Sequence, residues 1–579
     1  ATTLASGAGS YGGVLNNYNV MNVETGSISG ELHNFGQYTG GTLTLTIGAD
    51  PTSLAWARPT VNEETGVMEL DTLNVNAPAE YATGASAAGG MQNLGVLTVN
   101  NDMTVGGAFQ NDKTATIAHL TLDGLGQFVN SATGEATIDY LTTTGGKLDN
   151  AGTITFAQTQ GASSLGSVLN NSGTMNIAEG ANAFAVATGG KLTNNKLIDA
   201  KGTISVEGGT FTNAGTANLT GLNVTAGQVI AEEGSTFKDS GTTTINMTNA
   251  EDVAIDNNTT LELADLDLTQ GTIEGGTLNV ADGQVASGGI LKDIVNFMGN
   301  IFSSGSIKND VATTITGTVT NAGTADYTDV TVVAGGKLDN QATMNADNVT
   351  VNTDGTLASS GTTELGSLTA QAGGGIEVSN GTLHTGNLVA DGAIYNQTGG
   401  TISSDKGWFV NSTLNISGGT LNANNIKDAE GNTTGLLGHN TVNISGKNPM
   451  PTINNDDPSA VKMPWKDGLT VVTADVVTSD TTINIYEGGV LDVEDLQLTA
   501  PGTITMQGGG LQTSLGDFFD YVKTEAIKID AEDPETGVVE IPTEVLVSTT
   551  VGDVQDSIAS GINMESGMVA FDDALISQS

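Results

Sequence analysis

The sequence has no cysteine and few basic residues, and both absences exclude classes of function. Its 579 residues hold 17 Lys and Arg against 64 Asp and Glu, a net charge of −47, and Arg58 is the only arginine. Without cysteine there are no disulfides, thiolate metal sites or cysteine nucleophiles. Without a basic surface the chain lacks the main source of affinity for nucleic acids, and the shortage of guanidinium groups disfavours highly anionic ligands. We therefore expect no nucleic-acid partner.

Long apolar runs and an initial methionine are missing as well. Nowhere do about 18 apolar residues follow one another, so we expect no membrane-spanning helix and no membrane insertion of the chain shown. The first residues, Ala1, Thr2 and Thr3, are typical of what remains after a signal peptidase cuts behind small residues. These features predict an exported protein, extracellular or at the cell surface.

Glycine is abundant, with 79 residues, and it accompanies a repeat of about twenty residues. The segment GGKLDNAGTITF, residues 145–156, returns in altered form along the chain. Copies begin at Gly106, Gly166, Gly208, Thr316, Gly335, Asp354 and Asp391. A unit this short cannot bury its own apolar face, so it must stack on the next copy.

Within a copy the apolar residues alternate as they do in a β-strand. Leu148 is predicted to point inward and Asp149 outward, and after a turn at 150–152 Ile154 and Phe156 point inward again. Each period therefore holds two or three short strands and no helix. The pattern predicts an all-β fold, a single long right-handed parallel β-helix of about 19–20 residues per turn, or rung, with end caps. Rungs about 4.8 Å apart would form a rod on the order of 100 Å long.

Asparagine recurs five residues after the start of most copies. Asparagine tolerates the left-handed backbone of a sharp corner, and its amide can donate to and accept from the asparagine on the next rung. We therefore predict a structural ladder rather than a ligand site at Asn93, Asn111, Asn130, Asn150, Asn171, Asn194, Asn213, Asn257, Asn321, Asn340 and Asn396.

Changes in the repeat suggest boundaries along the chain. Proline interrupts the pattern once, and larger and more charged side chains near the C-terminus are suited to covering an open sheet edge. The predicted segments are an N-terminal cap with the first coils at 1–85, rungs at 86–417 with an irregular insert at about 270–315, a proline-containing loop insert at 418–475, the last rungs at 476–515, and a C-terminal cap or tail at 516–579.

Catalytic chemistry finds little support among the residues, and we expect no enzyme. The four histidines are scattered, without a neighbouring Ser or Asp that suggests a triad. The alternative is a polysaccharide-cleaving hydrolase, because Asp326 and Glu364 share an outward repeat position two rungs apart. That separation, about 10 Å, is near the upper end of the range that inverting glycosidases use. Two solvated acids on a polar face are the favoured interpretation.

Acidic clusters leave Ca²⁺ open as a ligand, and no other cofactor is expected. The candidate ligands are Asp456, Asp457, Asp530, Glu532 and Asp533, because carboxylates suit a hard cation. Neither cluster has the spacing of an EF-hand loop or of the glycine–aspartate nonapeptide of calcium-binding β-rolls. Solvated loops are therefore the favoured interpretation.

The GGKLDNAGTITF series, which covers roughly residues 86–515, resembles the passenger domains of Gram-negative autotransporters. It is most similar to the self-associating adhesins, which are built from imperfect repeats of about nineteen residues. The resemblance implies a rod on the bacterial surface that mediates adhesion, aggregation or biofilm formation. Its partners would be a second copy of the chain, or a glycan or protein on a host or neighbouring cell. A structural subunit of a surface layer or extracellular filament is a further alternative.

Overall fold

The computed structural model describes most of the chain as β-strands in two compact units, Ala1–Ile294 and Val295–Ser579. No helix occurs among the residues that it describes. Those residues are 14–28, 31–45, 60–76, 90–180, 182–422, 439–450, 466, 468–479, 481–498, 502–513, 538–540, 561–571 and 574–578.

The first unit consists of parallel strands that pair with the strands of the preceding and following rungs. Their bounds are β1 Val14–Asn17, β2 Val20–Ile28, β3 Glu31–Asn34, β4 Gln37–Leu45, β5 Thr60–Asn62, β6 Val67–Val75, β7 Met91–Asn93, β8 Val96–Val105, β9 Ala108–Asn111, β10 Thr114–Leu122, β11 Gln127–Asn130, β12 Glu135–Thr143, β13 Lys147–Asn150, β14 Thr153–Phe156, β15 Ser163–Leu165, β16 Val168–Asn171, β17 Thr174–Ile177, β18 Phe184–Ala187, β19 Lys191–Asn194, β20 Leu197–Ala200, β21 Ile204–Asn213, β22 Thr216–Ala231, β23 Thr236–Asn246, β24 Val253–Asn257, β25 Thr260–Glu274 and β26 Thr277–Lys292.

The second unit repeats the arrangement and ends differently. β45 pairs in parallel with β47, and β47 then pairs with β48 in the antiparallel sense. Its strands are β27 Asn296–Ser303, β28 Ser306–Asn309, β29 Thr313–Ile315, β30 Thr318–Asn321, β31 Thr324–Val332, β32 Lys337–Asn340, β33 Thr343–Val351, β34 Thr356–Ser359, β35 Thr362–Ala370, β36 Gly375–Val378, β37 Thr382–Asp391, β38 Ile394–Ser404, β39 Gly407–Val410, β40 Thr413–Asn422, β41 Thr441–Ile444, β42 Thr470–Ser479, β43 Thr482–Tyr486, β44 Gly489–Leu498, β45 Thr503–Gln512, β46 Val538–Glu540, β47 Gly561–Phe571 and β48 Ala574–Gln578.

The alternation in the repeat determines which side chains enter the core. In β13 and β14 every second side chain is buried, and Leu148, Ile154 and Phe156 are 0% exposed. Each such side chain contributes about 1.5–3 kcal/mol by its burial. Because a slip of one residue would turn all of them outward, the alternation also fixes the register. The prediction of an all-β parallel solenoid is confirmed, and its right-handedness stays a prediction.

Residues at the same position of successive rungs lie directly beside one another, forming columns along each unit. Phe128 of β11 lies in register between Phe109 of β9 and Leu148 of β13. The rings of Phe109 and Phe128 are 5.0 Å apart. Side chains about twenty residues apart in sequence are therefore neighbours, both inside the coil and on its surface.

Regular strands occur in three of the predicted segments. The segment 1–85, predicted as an N-terminal cap with the first coils, includes strands from β1 onward. The irregular insert predicted at about 270–315 is instead occupied by strands, β25 to β29. In the predicted tail, β47 continues the parallel stacking on β45. Much of the predicted insert at 418–475 lies outside the described residues.

Candidate functional site

An asparagine ladder runs through the inside of the first unit. Nδ2 of each residue donates to Oδ1 of the next at 2.7–2.8 Å, along Asn17, Asn34, Asn62, Asn93, Asn111, Asn130, Asn150, Asn171, Asn194 and Asn213. The amides are buried, so each unmade bond would leave a desolvated polar group. The arrangement holds rungs together, and its buried amides pair with one another rather than with a ligand.

The ladder asparagines do not lie at left-handed corners, as the sequence interpretation assumed. They are the last inward residues of their strands, and none has a positive φ. Asn17, Asn34 and Asn62 extend the ladder beyond its predicted start at Asn93. Sequence counting missed them because the connections between these first rungs vary in length, with sequence separations of 17, 28 and 31 between successive asparagines.

The ladder is interrupted where other residues take the inward place. Ala231 lies in register between Asn213 and Asn257, and Asn257 donates instead to the backbone oxygens of Gly275 and Thr277. In the second unit Asn321 donates to Asn340 at 2.8 Å. Asn340 then donates to Thr363, whose hydroxyl also contacts Ser359 at 2.8 Å.

The sequence interpretation was wrong at Asn396, which lies one residue away from the inward position of the asparagine ladder. Its in-register neighbours are Glu377 and Asn415, both on the outward face. The inward place belongs to Gln397, which is 0% exposed and accepts a 2.6 Å hydrogen bond from the Tyr395 hydroxyl. Inward and outward places alternate, so an offset of one residue moves an asparagine from the core to the surface.

Asn396 instead begins a second, half-buried ladder on the outward face of the second unit. Asn415 donates to Asn396 at 3.0 Å, Asn443 donates to Asn415 at 2.8 Å, and Asn484 donates to Asn443 at 2.9 Å. A signal for this ladder exists in the repeated Thr-x-Asn triplets of β40, β41 and β43. It was missed because the sequence separations of 28 and 41 between successive asparagines break the period of the repeat.

Asp326 and Glu364, the predicted carboxylate pair, line one surface depression of the second unit. The depression has a volume of about 440 Å³, and Asp310, Asn345 and Asp347 also line it. Asn345 lies in register between the two acids and donates to Oδ1 of Asp326 at 2.7 Å. Both acids are exposed. An acceptor-rich surface of this kind suits hydroxyl donors, as on neutral sugars, and repels anionic groups.

Two histidines contact hydroxyl and carboxylate groups that the sequence does not place beside them. Nδ1 of His119 is 2.8 Å from Oδ1 of Asp102, and its Nε2 is 3.0 Å from Oγ1 of Thr142. Since a carboxylate only accepts, Nδ1 donates to Asp102, and in a neutral ring Nε2 then accepts from Thr142. The sequence interpretation missed these contacts of His119 because the partners lie on adjacent rungs and are not close to the histidine in sequence. The side chain of Asp102 is 60% exposed, so water competes for this arrangement.

His384 makes a looser arrangement of the same kind in the second unit. Its Nδ1 is 3.0 Å from the hydroxyl of Ser403, while its Nε2 is 3.6 Å from Oδ1 of Asp405. The longer separation is beyond hydrogen-bond reach. The pattern recurs because the in-register neighbours of His384, Glu364 and Ser403, are polar, as Asp102 and Tyr140 are beside His119.

Comparison with known proteins gives a weak likeness to a solved structure. No protein-family model and no curated protein matches the sequence. Among solved structures, a similar chain is the crystal structure of a TibC-catalysed, hyper-glycosylated TibA fragment. The two are 16% identical, the match covers 73% of this chain and 96% of that chain, and the TM-score is 0.11. A likeness at this score carries no argument about function.

The described part of each unit has neither a cluster of metal ligands nor a membrane-spanning helix. There, no group of three or more His, Asp or Glu side chains is arranged to hold a metal ion. The five predicted Ca²⁺ ligands, Asp456, Asp457, Asp530, Glu532 and Asp533, lie outside the described residues. The described residues also include no helix of the length and apolarity that crossing a membrane requires.

Proposed function

We propose that the protein is an exported adhesin of the autotransporter-passenger type, which acts at the bacterial surface. It holds surfaces together by self-association, or by binding glycans or proteins on a neighbouring cell. Its contacts are weak polar bonds repeated on many rungs, so that avidity rather than a single strong site supplies the affinity.

The observation that carries this proposal is a set of exposed, in-register columns of short polar side chains. Thr324, Thr343, Thr362, Thr382 and Thr401 lie beside one another on successive strands of the second unit, and all are exposed. The ladder from Asn396 to Asn484 adds a second regular column. Repetition of one donor–acceptor pattern at a fixed spacing suits a partner that is itself repetitive, such as a glycan or a second copy.

Self-association is tested by placing charge in the threonine column. The double variant Thr343→Glu, Thr382→Glu should weaken association several-fold in sedimentation velocity, because new carboxylates face an already acidic partner. Thr133→Glu with Thr248→Glu is the matched control, since both threonines are exposed and lie in connections between strands of the first unit. Equal weakening by the two double variants would count against a role for the column.

Ligand binding is tested with the same proteins on a panel of immobilised glycans and on cell surfaces. Adhesion to a second surface is supported if the wild type is retained on neutral glycans and the variant Thr343→Glu, Thr382→Glu is retained less. The control variant Thr133→Glu, Thr248→Glu should be retained as strongly as the wild type. A wild type that is strictly monomeric and is retained on no glycan or cell would overturn the proposal.

Glycan hydrolysis is the second candidate, and one observation favours it: Asp326 and Glu364 line the same depression. An inverting hydrolase needs one carboxylic acid to protonate the leaving group and one carboxylate to activate water. The test is product release from a panel of polysaccharides. Hydrolysis that disappears in Glu364→Gln would establish the activity, and no products from the wild type would exclude it for that panel.

A further inference from the structure

His33, on β3 of the first unit, has a carboxylate oxygen at each ring nitrogen. Nδ1 is 2.6 Å from Oε1 of Glu63, and Nε2 is 2.6 Å from Oε1 of Glu31. Glu31 lies on the same strand, whereas Glu63 directly follows β5, the strand that pairs with β3 on the next rung. The side chains are 13–23% exposed, so the three groups meet in a largely desolvated place.

The two short contacts require a charged ring. A neutral imidazole has one N–H and can donate to one of these carboxylates, while its other nitrogen would set a lone pair against the second carboxylate. An imidazolium donates to both, and its charge strengthens each bond. Burial lowers the pKa of His33, but the hydrogen bonds and charges of Glu31 and Glu63 outweigh it, so the pKa lies above the usual 6.5.

In the part of the chain that the structure describes, the other groups that face His33 carry no charge at neutral pH. Asn16 of β1 and Val61 of β5 are its in-register neighbours. The ring of Phe35 lies 6.2 Å away, and Tyr18 stacks on Phe35 at 4.7 Å. Among the described residues, the charged groups that act on the imidazole are therefore Glu31 and Glu63.

We infer that Glu31, His33 and Glu63 form a pH-sensitive clamp that fastens the rung of β3 to the rung of β5. When the ring loses its proton, one of the two bonds is lost and two carboxylates remain close together without the cation between them. The clamp is closed below the ordinary histidine pKa of 6.5 and opens as the pH rises through the raised pKa of His33. It goes beyond the proposed function and does not depend on it.

The direction of the pH effect follows from linkage. A group whose pKa is higher in the folded than in the unfolded chain stabilises the fold fully below the unfolded pKa, here near 6.5. That stabilisation is lost as the pH rises through the folded pKa. His119 is the natural control, because it has one carboxylate and one hydroxyl partner and a neutral ring satisfies both.

The test is hydrogen exchange of the full chain between about pH 5.5 and 9, corrected for intrinsic rates, with β10 amides as the internal reference. Protection of β3 and β5 should fall with rising pH, by up to about tenfold for each unit by which the pKa of His33 exceeds its ordinary value. His33→Gln should remove this pH dependence, and His119→Gln should leave it.

If His33→Gln does not fold, an NMR titration of the histidine rings of the wild type tests the clamp, because it gives the pKa of His33 directly. With four histidines in the chain, the signals can be assigned by single substitutions. A pKa of His33 above 6.5 in the wild type agrees with the clamp. A pKa at or below 6.5, or protection of β3 and β5 that does not change with pH, would overturn it.

Discussion

At the residue scale, a buried asparagine is well suited to joining identical rungs. Asn130 accepts from Asn111, donates to Asn150 at 2.7 Å, and donates to the backbone oxygen of Thr153 at 2.9 Å. One side chain thus connects three rungs. Each bond is worth about 0.5–1.5 kcal/mol net, but a buried group left unpaired costs about 1–3 kcal/mol.

Asn130→Ala should therefore destabilise its neighbourhood by about 1–3 kcal/mol for each polar group left without a partner. Opening free energies of β9, β11 and β13 from native-state hydrogen exchange measure this locally. Asn218→Ala is the matched control, because Asn218 lies on the half-exposed outward side of β22. We expect the control to change stability by less than about 0.5 kcal/mol. Equal effects of the two substitutions would contradict a stabilising ladder.

The position of the ladder could be predicted from sequence, but its geometry could not. The recurrence of asparagine marks the column, whereas whether Asn150 turns a corner or ends a strand depends on backbone angles that spacing does not reveal. Asn396 and Gln397 show the same limit, because the two polar neighbours differ by one place and only the register decides which is buried.

At the element scale, the close approach of successive corners explains part of the glycine excess. Gly146 has φ +74°, and a Cβ there would lie 2.3 Å from the backbone oxygen of Gly126 on the preceding rung. Gly124 also has a positive φ, +54°, but a Cβ there would meet nothing within 4 Å. The two glycines share the conformational requirement and differ in the contact between rungs.

Gly146→Ala should accordingly destabilise the coil more than Gly124→Ala. Both substitutions place a side chain at positive φ, at a cost of about 1 kcal/mol. Gly146→Ala must in addition push two rungs apart, so that β11 and β13 lose protection against hydrogen exchange. Similar losses in the two variants would mean that backbone conformation alone, and not rung contact, selects glycine at this corner.

Alternation and period were enough to predict the strands, and variation in rung length limited that prediction. The segment at about 270–315 was expected to be irregular because the register of the repeat is lost there, yet β25 and β26 pair in parallel from Thr260↔Thr277 onward, with one register shift between Leu268 and Gln270. Parallel pairing depends on the backbone and on inward apolar residues. It therefore continues where the most recognisable side chain is missing.

At the scale of the whole molecule, the net charge of −47 opposes any contact between two copies. Association must then use uncharged surface, such as the threonine column of β31, β33, β35, β37 and β38. Screening weakens repulsion between like charges, so added salt should favour association. The composition alone already implied that charge repulsion opposes association and that salt weakens this repulsion. The shared repeat position predicted that Asp326 and Glu364 lie near each other, as they do in the acceptor-rich depression, but it did not place Asp310 beside them, because Asp310 lies in the segment where the register of the repeat is lost.

The most direct test of an adhesive function is to coat beads with the purified protein and to follow their aggregation by light scattering as NaCl is raised. We predict that coated beads aggregate, that aggregation increases with salt over the range in which the Debye length falls from about 30 to 8 Å, and that Thr343→Glu with Thr382→Glu reduces it. Beads that stay dispersed at every salt concentration, alone and when mixed with glycan-coated beads, would contradict an adhesive function.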